Sequence, residues 1–238
     1  MNKELSISRS KIDLYIECPR CFYLEVKGMA KRPSGPGFSL NSAVDELLKK
    51  EFDLLREEKK PHTLMEKYGI KAIPYQHPNL DKYRHNFTGV RYLHPNGITF
   101  YGAVDDLWIN ENGEIHVVDY KSTSTSAEIT LDGEYKEGYK RQIEIYQYLL
   151  SKIGFNVSKI GYFVYANARK DLNAFNEKLV FDVKIISYEG KNDWIEDILE
   201  RINRTLNSEE IPLPNENCKY CEYIKKYNNS FNTQLRLF

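Results

Sequence analysis

Asp105, Asp119 and Lys121 are the residues whose types and spacing could do chemistry, because each sits where a β-strand favours apolar side chains. They lie in Ile98 to Lys121, read ITFYGAVDDLWINENGEIHVVDYK, where two runs rich in Val, Ile, Tyr, Phe and Trp flank the polar Asn110-Glu111-Asn112-Gly113-Glu114. That pattern predicts a β-hairpin with a glycine-containing turn. A loop of Glu111-Asn112-Gly113 puts Gly113 at the left-handed position and sets Asp105 opposite Asp119, whereas a shorter Asn112-Gly113 loop would face Asp105 with Tyr120. The longer loop is favoured because Asp119 and Lys121 share one strand face and Asp105 then joins them.

Directly opposed carboxylates, with Cβ atoms roughly 4.5–5.5 Å apart, repel one another unless a cation sits between them. Oxygen-only ligands suit a hard ion, Mg²⁺ or Mn²⁺. Lys121 could then stabilise negative charge developing on a phosphate, or orient a metal-activated water. This is chemistry suited to phosphodiester hydrolysis. Downstream, Gln142 and Tyr146 are four apart and share one face of a predicted helix, where Gln could orient a phosphate or water and Tyr could back it by hydrogen bonding. An ordinary amphipathic helix is the plainer reading of that pair taken alone.

The elements that must position these residues follow from periodicity. A helix is predicted from Ser42 to about Glu58, a polar loop from Ser122 to Lys136, and a helix from Tyr139 to Ile153. Ile160 to Ala166 and Leu179 to Ser187 read as strands, and Asp193 to about Leu206 as a helix. Residues 60–97 are irregular by periodicity; their histidines show no zinc-type pairing and are expected at the surface. His116 should point away from the acids. The order implies an α/β fold with a mixed sheet flanked by helices.

Gly102-Ala103-Val104-Asp105, Val118-Asp119-Tyr120-Lys121, and Gln142 with Tyr146 together resemble the core signature of the PD-(D/E)XK nuclease superfamily, a Gly-x-x-Asp strand, an Asp/Glu-x-Lys strand and a Gln-x-x-x-Tyr helix. The RecB-like branch, including small CRISPR-associated exonucleases, is the most similar, and the likeness extends from about Ser6 to Cys221. The resemblance implies a restriction-endonuclease-like fold, Asp105 and Asp119 as metal ligands with the Tyr120 carbonyl, and Lys121, Gln142 and Tyr146 as their catalytic neighbours. Related nucleases place a histidine near Asp45 as a further ligand. Here Asp45 either substitutes as a third carboxylate or is a first-turn acid behind a Ser42 N-cap.

Cys18-x-x-Cys21 and Cys218-x-x-Cys221 can supply four thiolates, suiting Zn²⁺ or an iron–sulfur cluster. Spacing alone does not choose. In similar RecB-like nucleases one cysteine before the core and three after it hold an iron–sulfur cluster, and although the division here is two and two, iron–sulfur is placed ahead of Zn²⁺, with buried free cysteines third. Either metal would clasp the N- and C-terminal segments together.

With 238 residues, 41% hydrophobic, the chain can bury a core, and residues 1–224 are expected to form one nuclease-like domain. Its 34 basic and 34 acidic residues cancel, which excludes a global positive field for DNA. No apolar run approaches the ~20 residues that cross a bilayer, so a cytoplasmic protein with no membrane partner is expected. Residues 225–238 read as a flexible tail ending Gln234-Leu235-Arg236-Leu237-Phe238. That ending resembles the pentapeptide by which bacterial replication and repair enzymes bind the sliding clamp; Gln234, Leu235, Leu237 and Phe238 would make the contacts. The function expected is a metal-dependent DNA nuclease of repair, replication or recombination. The alternatives are a catalytically inactive DNA-binding adaptor of the same fold and a CRISPR-adaptation nuclease.

Overall fold

The computed structural model describes residues 5–35 and 37–235, with the side chains of Glu134 and residues 231–235 excepted. In chain order the elements are β1 (Ser6–Ser8), α1 (Arg9–Glu17), α2 (Pro19–Val26), α3 (Ser39–Glu58), α4 (Thr63–Lys67), β2 (Ala72–Pro74), α5 (Leu80–Arg84), β3 (Val90–Leu93), β4 (Thr99–Gly102), β5 (Asp106–Asn110), β6 (Ile115–Thr123), α6 (Glu134–Lys152), β7 (Ile160–Ala168), β8 (Phe181–Glu189), α7 (Ile195–Asn207) and α8 (Lys219–Leu235). They fall into two compact units, one of Met1–Ser6 with Gly37–Ile195 and one of Ile7–Pro36 with Glu196–Phe238.

The first unit is built on a five-stranded sheet of order β2-β5-β6-β7-β8. Its neighbours are antiparallel except β6 and β7, which are parallel, and α6 supplies the crossover that a parallel pair requires. This is the mixed, helix-flanked sheet expected. The central strand β6 is buried from Ile115 to Tyr120 because both faces are covered. On the Val118 and Tyr120 face, α3 brings Leu48 and Phe52 into the core. Phe52 stacks on Trp108 at 5.4 Å between ring centroids, and Trp108 stacks on Tyr162 at 5.3 Å. On the other face α6 lies close because β7 carries Gly161, where an added Cβ would stand 2.6 Å from Ile143 Cγ2.

The hairpin has the longer of the two loops considered. Asn110 N–H donates to the Glu114 carbonyl at 3.1 Å, and Gly113 has φ +75°. The register pairs Asp106 with Val118 and Ile109 with Ile115, so Asp105 stands opposite Asp119 one step beyond the ladder.

The expected unbroken strand from Ile98 to Ile109 is instead two strands in different sheets. β4 pairs with β3, Val90 facing Gly102, while β5 starts only at Asp106. Between them Val104 N–H donates to the Tyr83 carbonyl at 3.1 Å, and Asp105 Oδ2 accepts the Tyr120 N–H at 2.9 Å. A side-chain carboxylate thus takes the acceptor place of a ladder carbonyl, and the backbone leaves the sheet at the acid.

Other expectations are corrected. Residues 60–97 contain α4, β2, α5 and β3, pieces too short for a period to register. His62 and His94 are buried rather than at the surface, and His116, also buried, faces away from the acids as expected. His62 accepts the Leu64 N–H at the start of α4, and His116 Nδ1 lies 2.8 Å from the Ile160 carbonyl. α3 starts at Ser39 behind Phe38, and Ser42 Oγ donates to the Phe38 carbonyl from within the helix. α6 begins a turn early, after Gly133.

In the second unit, Tyr15 Oη lies 3.1 Å from Thr205 Oγ1 and Asn215 Nδ2 donates to the Ile16 and Glu17 carbonyls, tying α1 to the segments around α7 and α8. α8 continues through the residues expected as a polar linker, supported by a Glu222–Lys226 pair at 2.6 Å one turn apart. Gln234 and Leu235 belong to this helix with no side-chain placement, and Leu237 and Phe238 lie outside the described residues.

Candidate active site

The end of β6 and the break before β5 bring four of the predicted residues together. Asp119 is wholly buried, and its carboxylate oxygens accept no hydrogen bond of regular geometry among the described residues. Lys121, two positions on and therefore on the same face, makes ion-pair contact with Asp119 Oδ2. Its ammonium also donates to Gln142 Oε1 at 3.4 Å, and Gln142 Nε2 donates to Tyr146 Oη at 3.3 Å. These contacts join Lys121 of the strand to Gln142 and Tyr146 of the helix, and Gly161 is what admits α6 to this distance.

Asp105 carries the electrostatic strain of the site. Its carboxyl is pushed up to about 7, first by burial and then by the charge of Asp119, against the opposing pull of Lys121, Lys49 and the Tyr120 N–H. Asp45 reaches the same cluster: its carboxyl is raised by burial and by the Asp105 charge. It stands well inside α3, whose first turn contains no acid, so the capping role considered for it does not apply. Lys49 spans the two acids, 2.7 Å from Asp45 Oδ2 and 3.8 Å from Asp105 Oδ1. The sequence signal for Lys49 is its spacing of one helical turn from Asp45.

A second group was missed altogether. Asp106, wholly buried, accepts from Arg56 Nη2 at 2.6 Å, Arg84 Nη2 at 2.8 Å and the Tyr120 hydroxyl at 2.8 Å. Arg84 and Arg56 also engage Asp53. This network grips Tyr120, the residue between Asp119 and Lys121, from the other side of the strand. Only the doubled acid Asp105-Asp106 hinted at it in the sequence.

Two crowded, under-bonded carboxylates fit a divalent cation, which would supply the positive charge that the protein leaves out. Asp105 and Asp119 would hold it, with Asp45 within the same cluster and Tyr120 between the last acid and the lysine.

In the second unit the four cysteine sulfurs lie within 4.8 Å of one another. The closest separations are 3.8 Å for Cys18–Cys221, 3.7 Å for Cys21–Cys218 and 3.6 Å for Cys21–Cys221. Each pair begins just ahead of a helix, Cys18 before α2 and Cys218 before α8, where the helix dipole favours thiolate. Burial alone would raise the Cys218 thiol, but hydrogen bonds from the Cys221 backbone and the neighbouring sulfurs outweigh it and hold it at about 7. Arg32 donates to Cys218 Sγ at 3.5 Å and stacks over the Tyr220 ring at 4.5 Å. The donor set can hold a metal ion.

A mixed sheet carrying facing acids and a lysine at the end of its parallel strand defines a metal-binding α/β protein of nuclease type. The model of the PD-(D/E)XK nuclease superfamily matches residues 39–225, and the chain belongs to that superfamily. Nuclease activity dependent on a divalent metal follows as its general character. Among solved structures the chain is similar to the crystal structure of SSO0001, at 16% identity over 93% of this chain and 84% of that one, with a TM-score of 0.42. No curated protein matches it. None of the helices among the described residues is long and apolar enough to cross a membrane.

Proposed function

We propose that the protein is a Mg²⁺- or Mn²⁺-dependent deoxyribonuclease of the RecB-like branch, acting on repair, replication or recombination intermediates. The observation that carries the proposal is Asp119, buried without a hydrogen bond, opposite Asp105 and beside Lys121. A bound divalent ion would supply Lewis acidity at the phosphoryl oxygen and lower the pKa of an attacking water. Asp105 and Asp119 would hold it, with Asp45 and the Tyr120 carbonyl as the further ligands proposed. The Lys121 ammonium would stabilise negative charge developing on a phosphate held at these acids. Gln142 holds that ammonium in position through its Oε1, and Tyr146 fixes the Gln142 amide.

Cleavage of end-labelled single-stranded, duplex and flap DNA with Mg²⁺ or Mn²⁺ tests the activity. Wild-type protein should cut and Asp119→Asn should not; cutting by both would remove these residues from the chemistry. The Gln234–Phe238 motif is proposed to tether the enzyme to the sliding clamp, which would raise local DNA concentration for a chain of zero net charge. A peptide of the last ten residues should compete for a bacterial clamp, and absence of binding would remove this partner.

For the cysteines we propose Zn²⁺ rather than the iron–sulfur cluster placed first from the resemblance. A Zn–S bond of about 2.3 Å gives tetrahedral sulfur separations of roughly 3.8 Å. The separations of 3.6, 3.7 and 3.8 Å match that single-ion edge. In a four-iron cluster each thiolate binds a different iron, and the cluster's width drives the sulfurs further apart. Anaerobically purified protein should contain one zinc per chain and no acid-labile sulfide; sulfide with several irons would refute zinc.

A further inference from the structure

Beside the proposed metal site lies a second cation with no carboxylate assigned to it. Lys136, in the first turn of α6, donates to the Tyr165 hydroxyl at 3.2 Å. Its ammonium stands 5.0 Å from the centroids of both the Tyr139 and Tyr165 rings. Lys121 approaches the same Tyr139 ring, at 4.7 Å. The strand register explains the meeting, because Lys121 of β6 lies directly beside Tyr165 of β7. Two ammonium groups therefore share one aromatic ring at the mouth of the site. Lys121 is paired with Asp119, whereas Lys136 pairs with no carboxylate among the described residues.

Three physical effects oppose a charged lysine there. Partial burial disfavours the ammonium, and Lys121 repels it; both hold its pKa below the usual value. The third is the helix dipole, whose positive end lies in this first turn and favours anions over cations. Cation–π attraction to the two tyrosine rings offsets part of this. A phosphate oxyanion would reverse all three effects at once, gaining from both ammonium groups and from the helix N-terminus.

We propose that Lys136, framed by Tyr139 and Tyr165, binds a backbone phosphate of the nucleic-acid strand next to the one approached by Lys121. This rests on the nuclease reading of the Asp105–Asp119 site and adds the residue that would hold the strand in register across it. The group bound is a phosphodiester oxyanion, without regard to base.

Binding can be separated from cleavage. Affinity of the Asp119→Asn protein for a fluorescent single-stranded oligonucleotide is measured against salt concentration, alone and with Lys136→Met or Lys136→Arg added. Loss of one phosphate contact should lower the slope of log affinity on log salt by about 0.7 for a single strand. Lys136→Arg should keep the slope, and Lys140→Met, which removes a lysine paired with Glu137 on the same helix, should leave it unchanged. In the active enzyme Lys136→Met should raise KM several-fold with kcat within twofold. An unchanged slope in a Lys136→Met protein of normal melting temperature would overturn the proposal, as would an equal loss with Lys140→Met. These arms do not depend on cutting: DNA binding with the predicted slope change but no wild-type cleavage would sink the nuclease reading and leave the phosphate contact standing.

Discussion

Replacing Asp119 by asparagine should make the metal-free protein more stable. Asp119→Asn removes a wholly buried carboxylate that rests against the Lys121 ammonium and faces Asp105 across the hairpin. The Asp105 carboxyl rises from 3.8 to about 7, first through burial and second through Asp119. At 1.36 kcal/mol for each pH unit, ionising Asp105 at pH 8 costs the folded state about 4 kcal/mol relative to the unfolded chain. Asp119 is the second of the two causes, so removing its charge relieves part of this cost. Loss of the Lys121 ion pair offsets part of this, because that lysine keeps only Gln142. The net gain is about 1 kcal/mol, or roughly 2–4 °C in melting temperature for a chain of this size. Between about pH 4 and pH 7 the folded protein holds a proton on Asp105 that the unfolded chain has released, so wild-type stability falls as pH rises through that window. The advantage of the variant should therefore be present at pH 8 and disappear at pH 5. Thermal melts in chelator at both pH values decide it. A variant less stable than wild type at pH 8 by more than about 1 kcal/mol would refute the electrostatic reasoning.

Three further outcomes follow from the same geometry. Divalent-metal affinity should rise with pH up to about 7, because binding must displace the Asp105 proton; calorimetry in buffers of different ionisation enthalpy should find proton release near pH 6 and little at pH 8. Lys49→Met should tighten metal binding by about fivefold, the equivalent of ~1 kcal/mol, by removing the cation that spans Asp45 and Asp105; weaker binding would show that Lys49 supports the ion instead. Asp106→Asn should cost about 3–5 kcal/mol, because two buried guanidiniums lose their shared counter-ion, and should lower the melting temperature by roughly 6–20 °C.

The hairpin was legible because its turn chemistry and strand alternation act over a few residues. Gly113 fixed the loop length, and the loop length fixed Asp105 opposite Asp119. Gln142 and Tyr146 were legible for a similar reason, since helical spacing determines their shared face. The break at Ala103-Val104-Asp105 was not: an apolar run reads as one strand, whereas the outcome depends on Asp105 taking the Tyr120 N–H and Val104 bonding Tyr83. The same limit hid Asp106, whose partners Arg56 and Arg84 stand 50 and 22 residues away in the chain. Cysteine spacing suggested four donors but not their separations, which only the packed helices establish.

The neighbouring acids Asp105 and Asp106 explain how the fold can carry such a site. Both are removed largely from water, yet Asp106 accepts from two guanidiniums and a tyrosine hydroxyl while Asp105 faces another carboxylate. Successive strand residues point to opposite faces, so the arginines that neutralise Asp106 work from the side away from Asp119. They hold Tyr120 through its hydroxyl while Asp105 holds it through its N–H, so the residue between Asp119 and Lys121 is fixed from both sides of the strand. The repulsion between Asp105 and Asp119 then cannot relax by moving β6, and it remains available to a cation that enters between them. The stabilised acid is thus what allows its neighbour to stay crowded against Asp119, and weakening Asp106 should loosen metal binding even though Asp106 is not a proposed ligand.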